Sequence, residues 1–135
     1  MTKTKHEMLC PPNWKAPKGY ANGIAASGRL VFLGGLIGWN ENQEFETDDF
    51  VAQTGQTLRN IAEVLKQAGG KPEDVVRMTW YITDKQEYLS RQAELGAVYR
   101  AVFGKHFPTM AMVQVTALME DRAKVEIEAT AVVPD

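Results

Sequence analysis

Two glutamates, Glu126 and Glu128, stand two residues apart in the run KVEIEATAVV near the C-terminus. In a strand that spacing puts both on one face, because successive side chains point to opposite sides. In the preceding run the same alternation groups Met110, Met112, Gln114 and Thr116. Thioether, amide, hydroxyl and carboxylate on one surface are groups that a polar or soft ligand would meet, so the site is sought there. Gly34–Gly35 interrupts the apolar run LVFLGGLI. Glycine weakens a strand, and such a pair marks a bulge or a close approach, with free N–H groups that suit a ligand oxygen. Other chemistries find less support. His6 and His106 are far apart, lack metal-ligand spacing and read as solvated. Cys10 is the single cysteine and carries no catalytic signature, which excludes an intrachain disulfide and a cysteine-only metal site. Trp14, Trp39 and Trp80 are too scattered to stack bases.

The elements that hold these residues are read from pattern. Residues 110–118 and 124–133 read as two strands around the loop 119–123, a hairpin. Ala111, Val113, Val115 and Ala117, with Val125, Ile127 and Ala129, form its apolar face and are expected to lie in the core. Met110, Met112, Glu126 and Glu128 are then expected to share the opposite face, away from the helices. Residues 20–26 form a short strand candidate, and 30–37 a strand buried on both sides. Asp48 or Asp49 caps a helix to about Ala68, ended by Gly69–Gly70. Residues 75–83 are rich in β-branched and aromatic residues and read as a strand. Asp84 and Glu87 start a second helix closed by Gly104. Residues 1–19, rich in Pro and Lys, read as an arm with at most a short strand near Glu7.

The chain has 135 residues and reads as one domain, with 44% hydrophobic and 24% charged residues and a net charge of −2. That balance gives no footprint for nucleic acid. No apolar run is long enough to span a membrane, and the N-terminus lacks the apolar core of a signal peptide. The expected compartment is the cytoplasm. Two helices can cover one face of so wide a sheet. The other face carries apolar side chains, which points to a homo-oligomer packed sheet to sheet.

The pieces KGYANGI, LVFLGGLI, QTLRNIAEVLKQAGGKPEDVVRMTWYITD, AVYRAVFGKHFPTMAMVQV and KVEIEATAVV resemble, in order, the RidA/YjgF family of reactive-intermediate deaminases, also called endoribonuclease L-PSP. The resemblance runs from about Tyr20 to Val133. It implies an α+β, chorismate-mutase-like subunit: a six-stranded, mostly antiparallel sheet with two helices on one face, assembled as a barrel-like homotrimer with clefts between subunits. It also implies cofactor-free hydrolysis of enamines and imines such as 2-aminoacrylate. Carried over by position, Tyr20 is the pocket tyrosine and Glu126 the carboxylate that holds the attacking water. The family's carboxylate-gripping arginine falls on Met110, a nearby cysteine on Met112, a serine on Gly34 beside Gly35, and an asparagine on Gly96.

These departures leave the core pattern intact and strip the pocket of polar groups. A charge-assisted hydrogen bond from an arginine fork contributes about 1.5–3 kcal/mol, so losing the fork removes roughly two or more decades of affinity for a small carboxylate. Methionines suit larger, softer ligands. The sequence thus reads as an arginine-less branch whose substrate is a small molecule other than 2-aminoacrylate. Lys15, Arg77, Arg91 and Arg100 are the cations considered as replacements for the missing anchor. The second reading is a non-catalytic binding or sensor protein of the same fold. In plainer terms, Met110 and Met112 are interface packing, Glu126 a solvated or ion-paired carboxylate, and Tyr20 a packed aromatic. An RNA-cleaving role has the least support, given the acidic balance.

Overall fold

A computed structural model describes residues 6–134. Six strands and three α-helices follow in the order β1 (Glu7–Leu9), β2 (Gly23–Ala25), β3 (Arg29–Ile37), α1 (Phe50–Lys66), β4 (Val75–Ile82), α2 (Lys85–Ser90), α3 (Gln92–Phe103), β5 (Thr109–Gln114) and β6 (Val125–Val133), with one short 3-10 turn, Pro72–Asp74, before β4. The α+β class and the six strands are as expected. The strands divide into an antiparallel pair, β1–β2, and a four-stranded sheet in the order β3-β6-β4-β5. Within that sheet β6 runs antiparallel to both β3 and β4, while β4 and β5 are parallel.

That order corrects the expected hairpin. β5 and β6 are consecutive in sequence, yet β4 lies between them. A parallel pair needs a crossover of a dozen residues or more, and the α2–α3 segment supplies it, returning β5 beside β4. The second expected helix is likewise broken in two. Arg91 at the junction has a non-helical backbone (φ −126°, ψ 29°). Just before it, Ser90 Oγ donates to Glu87 O, a local bond that competes with the helical ladder.

Caps follow the sequence closely. Asp49, rather than Asp48, caps α1 by accepting from Ala52 N at 2.9 Å. Gly69 takes a left-handed φ of 73°, and the N–H groups of Gly69 and Gly70 close back on Lys66 O and Leu65 O, as in a Schellman motif. Asp84 caps α2 through Glu87 N.

The helices lie on one face of the sheet. Leu58, Ile61 and Leu65 of α1 are fully buried against Val75, Met78, Trp80 and Ile82 of β4 and Val125, Ile127 and Ala129 of β6. Each such side chain contributes about 1.5–3 kcal/mol by leaving water. The face without helices carries Leu30, Phe32 and Val113, which are 60%, 74% and 45% exposed. The expectation of an uncovered apolar face therefore holds. Residues 30–37 are correspondingly buried on one side only, with Leu33 inside and Phe32 outside.

Candidate functional site

On β6 the alternation holds: Val125, Ile127 and Ala129 are buried under the helices, and Glu126 and Glu128 occupy the open face. On β5 it is reversed. Met110 and Met112 pack against the core, and Ala111 and Val113 face outward. The expected common face of Met110, Met112, Glu126 and Glu128 is thereby corrected. The physical reason is that TMAMVQ is apolar on both faces, so period two alone does not choose between them. Met110 stands beside Met78, and Met112 beside Trp80. The longer thioethers turn to the helix side, below α3, and the small Ala111 is left on the surface.

The candidate residues consequently form two groups on opposite sides of the sheet. The first lines a cleft of about 390 Å³ between α2, α3, β5 and the N-terminal arm. Tyr20, Gly96, Met110 and Met112 all line it, with Lys18, Gly19, Trp80, Tyr88, Gln92, Leu95, Tyr99, Arg100 and Phe107. Its volume falls in the range of small-molecule sites, and its walls are chiefly aromatic and thioether, as such sites usually are. No carboxylate lines it among the described residues.

Three local devices build the cleft. The arm is stitched to the start of β5, where Ala21 N donates to Pro108 O at 3.1 Å and Ala21 bridges to Thr109, and this delivers Tyr20. Tyr99 stacks on Phe103 and Phe107 with ring centroids 5.1 and 5.3 Å apart, and its hydroxyl donates to His106 O at 2.6 Å. Burial pushes the Tyr99 phenol well above its ordinary ionisation range, so it serves as a fixed donor. His106 Nε2 lies 2.7 Å from Val75 O, and since a carbonyl only accepts, that nitrogen carries the proton. His106 is therefore structural and half-buried, which corrects the solvated reading.

The second group is on the open face. The carboxylate of Glu126 lies over Gly35, where a Cβ on residue 35 would collide with it. The register of β3 against β6 shifts between Leu33 and Leu36, so Gly34–Gly35 is the bulge and the close approach that the glycine pair suggested. Gly34 faces open space. Across β4, the Tyr81 hydroxyl donates to Glu128 Oε2 at 3.1 Å. That bond raises the Tyr81 pKa, with further upward contributions from partial burial and from the charges of Glu128 and Glu126.

Two amides that the sequence does not single out brace the backbone around Glu126. The buried Gln53 donates to Thr47 O and Arg122 O and accepts from Lys124 N at 2.9 Å, so it clamps the entry to β6. Asn60 donates to Ile37 O and Trp39 O and pins the end of β3, which pairs Ile37 with Glu126. Gly38 leaves room for this: a Cβ there would sit 2.6 Å from Gln53 O.

Of the cations weighed for the missing anchor, Arg100 lines the cleft and Arg77 lies on the open face beside Phe32 and Glu128. Arg91 is held by Asp49, Glu87 and Glu94. Lys15 does not line the cleft, and Lys18 does. Among the described residues no group of three or more His, Cys, Asp or Glu could hold a metal, and no helix is long and apolar enough to cross a membrane.

Comparison with known proteins meets this geometry. The profile of the family described as Endoribonuclease L-PSP matches residues 12–133. The chain is 33% identical to the 2-iminobutanoate/2-iminopropanoate deaminase of Salmonella typhimurium over 116 residues, covering 84% of this chain and 86% of that one. It is 31% identical to a RutC family protein of Pyrococcus horikoshii over 126 residues, covering 93% and 96%. Among solved structures, a Rid-family protein of unknown function from Yersinia pestis superposes with a TM-score of 0.84 at 31% identity, covering 95% of this chain and 98% of that one. With the resemblance noted along nearly the whole sequence thus matched by profile, by curated relatives and by fold, the chain belongs to the endoribonuclease L-PSP family, that is, the RidA/YjgF family.

Proposed function

We propose that the chain is a cofactor-independent deaminase of the cytoplasm. It hydrolyses enamine or imine metabolites other than 2-aminoacrylate, at clefts completed by a neighbouring copy in a homotrimer. The observation that carries this reading is the division of the site. A ligand-sized cleft without a carboxylate lies on one side of the sheet, and an outward carboxylate, Glu126 over Gly35, lies on the other. Within one chain the two are kept apart by the sheet. Between copies, the open face of one subunit can close the cleft of the next, which would also bury the exposed Leu30, Phe32 and Val113. Relatives named as 2-imino acid deaminases support the reaction class.

The chemistry follows from that placement. Glu126 takes a proton from water as the water oxygen adds to the imine carbon. Glu126 passes that proton to the nitrogen, giving a carbinolamine. It then takes the hydroxyl proton and delivers it to the nitrogen as well, so the C–N bond breaks as the C=O bond forms and ammonia leaves. Tyr20 supplies a polar contact at the cleft.

The test uses imines generated in place by an amino-acid oxidase, with oxo acid and ammonia measured. Glu126→Gln, which loses the base, and Gly96→Trp, which fills the cleft, should each be inactive. Dissociating and reassembling the two together should restore activity, because about a quarter of the clefts then join two intact halves. Absence of rescue, or a monomer by light scattering, would overturn the shared site. Intact trimers that release ammonia from no imine would favour the binding-protein reading, which the apolar Met110 supports.

A further inference from the structure

Position 110 is apolar, yet the cleft is not without cations. Arg100 and Lys18 both line it. Gly96 and Arg100 are four residues apart on α3, so they share one face, and a helical side chain leans back over the preceding turn. The guanidinium of Arg100 therefore lies over Gly96, with Nη1 3.0 Å from where a Cβ on residue 96 would be. The lack of a side chain at 96 is what admits it. Arg91 and Arg122 are engaged by acidic partners. Arg100, by contrast, has no ion pair and no side-chain hydrogen bond among the described residues. Its five donors remain available at the cleft.

The opposite wall is different in kind. Met110, Met112, Trp80 and Phe107 offer thioether and aromatic surface. Trp80 is nearly fully buried, and its indole N–H has no acceptor among the described residues. A three-carbon imino acid would leave most of the roughly 390 Å³ empty. The aromatic and thioether wall of this open cleft would then stay in contact with water, and the apolar area it could bury would go unused.

We propose that Arg100, assisted by Lys18, is the carboxylate anchor of this cleft, and that its substrate is a 2-imino acid with a large aromatic or thioether side chain. The proposal rests on the deaminase reading for the reaction, and on the cleft alone for the ligand. The carboxylate pairs with the helix-borne guanidinium, and the side chain enters the methionine and aromatic wall. Arg100 is a binding residue that takes no part in proton transfer.

The test separates binding from turnover. Calorimetry compares two stable oxo acids, 2-oxo-3-phenylpropanoate and 2-oxopropanoate, with 3-phenylpropanamide as an uncharged control. The native protein should bind the phenyl acid at least about tenfold more tightly than the methyl acid. Arg100→Met should weaken the phenyl acid by about ten- to a hundredfold and leave the amide unchanged. Arg100→Lys should recover part of that loss. Gly96→Leu, which leaves Arg100 in the chain and takes its space, should reproduce the loss. Equal affinity of native protein and Arg100→Met for the phenyl acid, or equal affinity of native protein for the two acids, would overturn the proposal. Arg100-dependent binding without ammonia release from the corresponding imine would uphold the anchor and sink the deaminase reading.

Discussion

Glu126 and Gly35 share one volume: the carboxylate of the first occupies the place a Cβ of the second would need. The glycine thus acts as a seat for the glutamate as well as a bulge in β3. Gly35→Ala should displace the carboxylate at small structural cost, because the colliding atoms are the end of a flexible side chain. Displacements of about 1 Å at a reacting group cost on the order of a hundredfold in rate. We expect Gly35→Ala to melt within a few degrees of the native protein and to release ammonia from imines about ten- to a hundredfold more slowly. Unchanged turnover would remove Glu126 from the chemistry.

Met110 lies within the cleft that Arg100 lines. We expect native protein to turn over 2-aminoacrylate and 2-iminopropanoate weakly. Met110→Arg should raise that turnover by less than the roughly hundredfold an unopposed fork supports, because the new charge meets Arg100 and Lys18. Arg100→Met should cost the Met110→Arg variant less than it costs the native protein, because the new fork then shares the carboxylate. Steady-state ammonia release with both substrates decides this, and native turnover that already matches an arginine-bearing relative would refute it.

Asp49 joins α1 to the α2–α3 junction. It accepts from Ala52 N and pairs with Arg91 Nη1 at 2.6 Å. The hydrogen bond from Arg91, followed by that from Ala52 N–H, holds its carboxyl below the usual aspartate range. A carboxyl with a depressed folded-state pKa adds stability above its unfolded pKa near 3.8 and loses it as pH falls through the folded value. Asp49→Ala should cost about 1 kcal/mol at neutral pH through the lost cap. The difference from the native protein should shrink in thermal melts below about pH 4. A gap that stays constant down to pH 2 would show that this carboxylate contributes nothing through its charge.

Tyr99 gives the opposite limb. Its phenol is buried and its pKa raised, so its stabilisation is complete below the unfolded value near 10 and is lost as pH rises above it. Tyr99→Phe leaves His106 O without its donor and should cost about 1–3 kcal/mol at pH 7. The variant should show less further loss between pH 9 and 11 than the native protein. Absorbance titration of the phenolates beside thermal melts measures both.

The sequence exposed whatever depends on local chemistry. Asp49 and Asp84 as caps, Gly69–Gly70 as a helix stop and the Gly34–Gly35 irregularity were all readable from single residues. The pairing of β5 with β4 was not, because it depends on where a helical crossover sets the chain down. The facing of Met110 and Met112 failed for a related reason: both faces of β5 are apolar, and only the space beneath α3 decides between them. Tyr20, Gly96, Met110 and Met112 do meet in one cleft. Gln53 escaped notice because a glutamine within a helical pattern reads as solvent-facing, and only the fold brings Arg122 and Lys124 to its amide. Arg100 stands apart from the other cations only in the fold, where it lies over Gly96 at the cleft.

The arm that delivers Tyr20 also lies along the start of β5, the outermost strand of the sheet. Strand margins of this kind invite pairing with other chains. By bonding to Pro108 O and bridging to Thr109 there, the arm occupies part of that margin itself, so one short segment both delivers Tyr20 and shields the sheet against self-association.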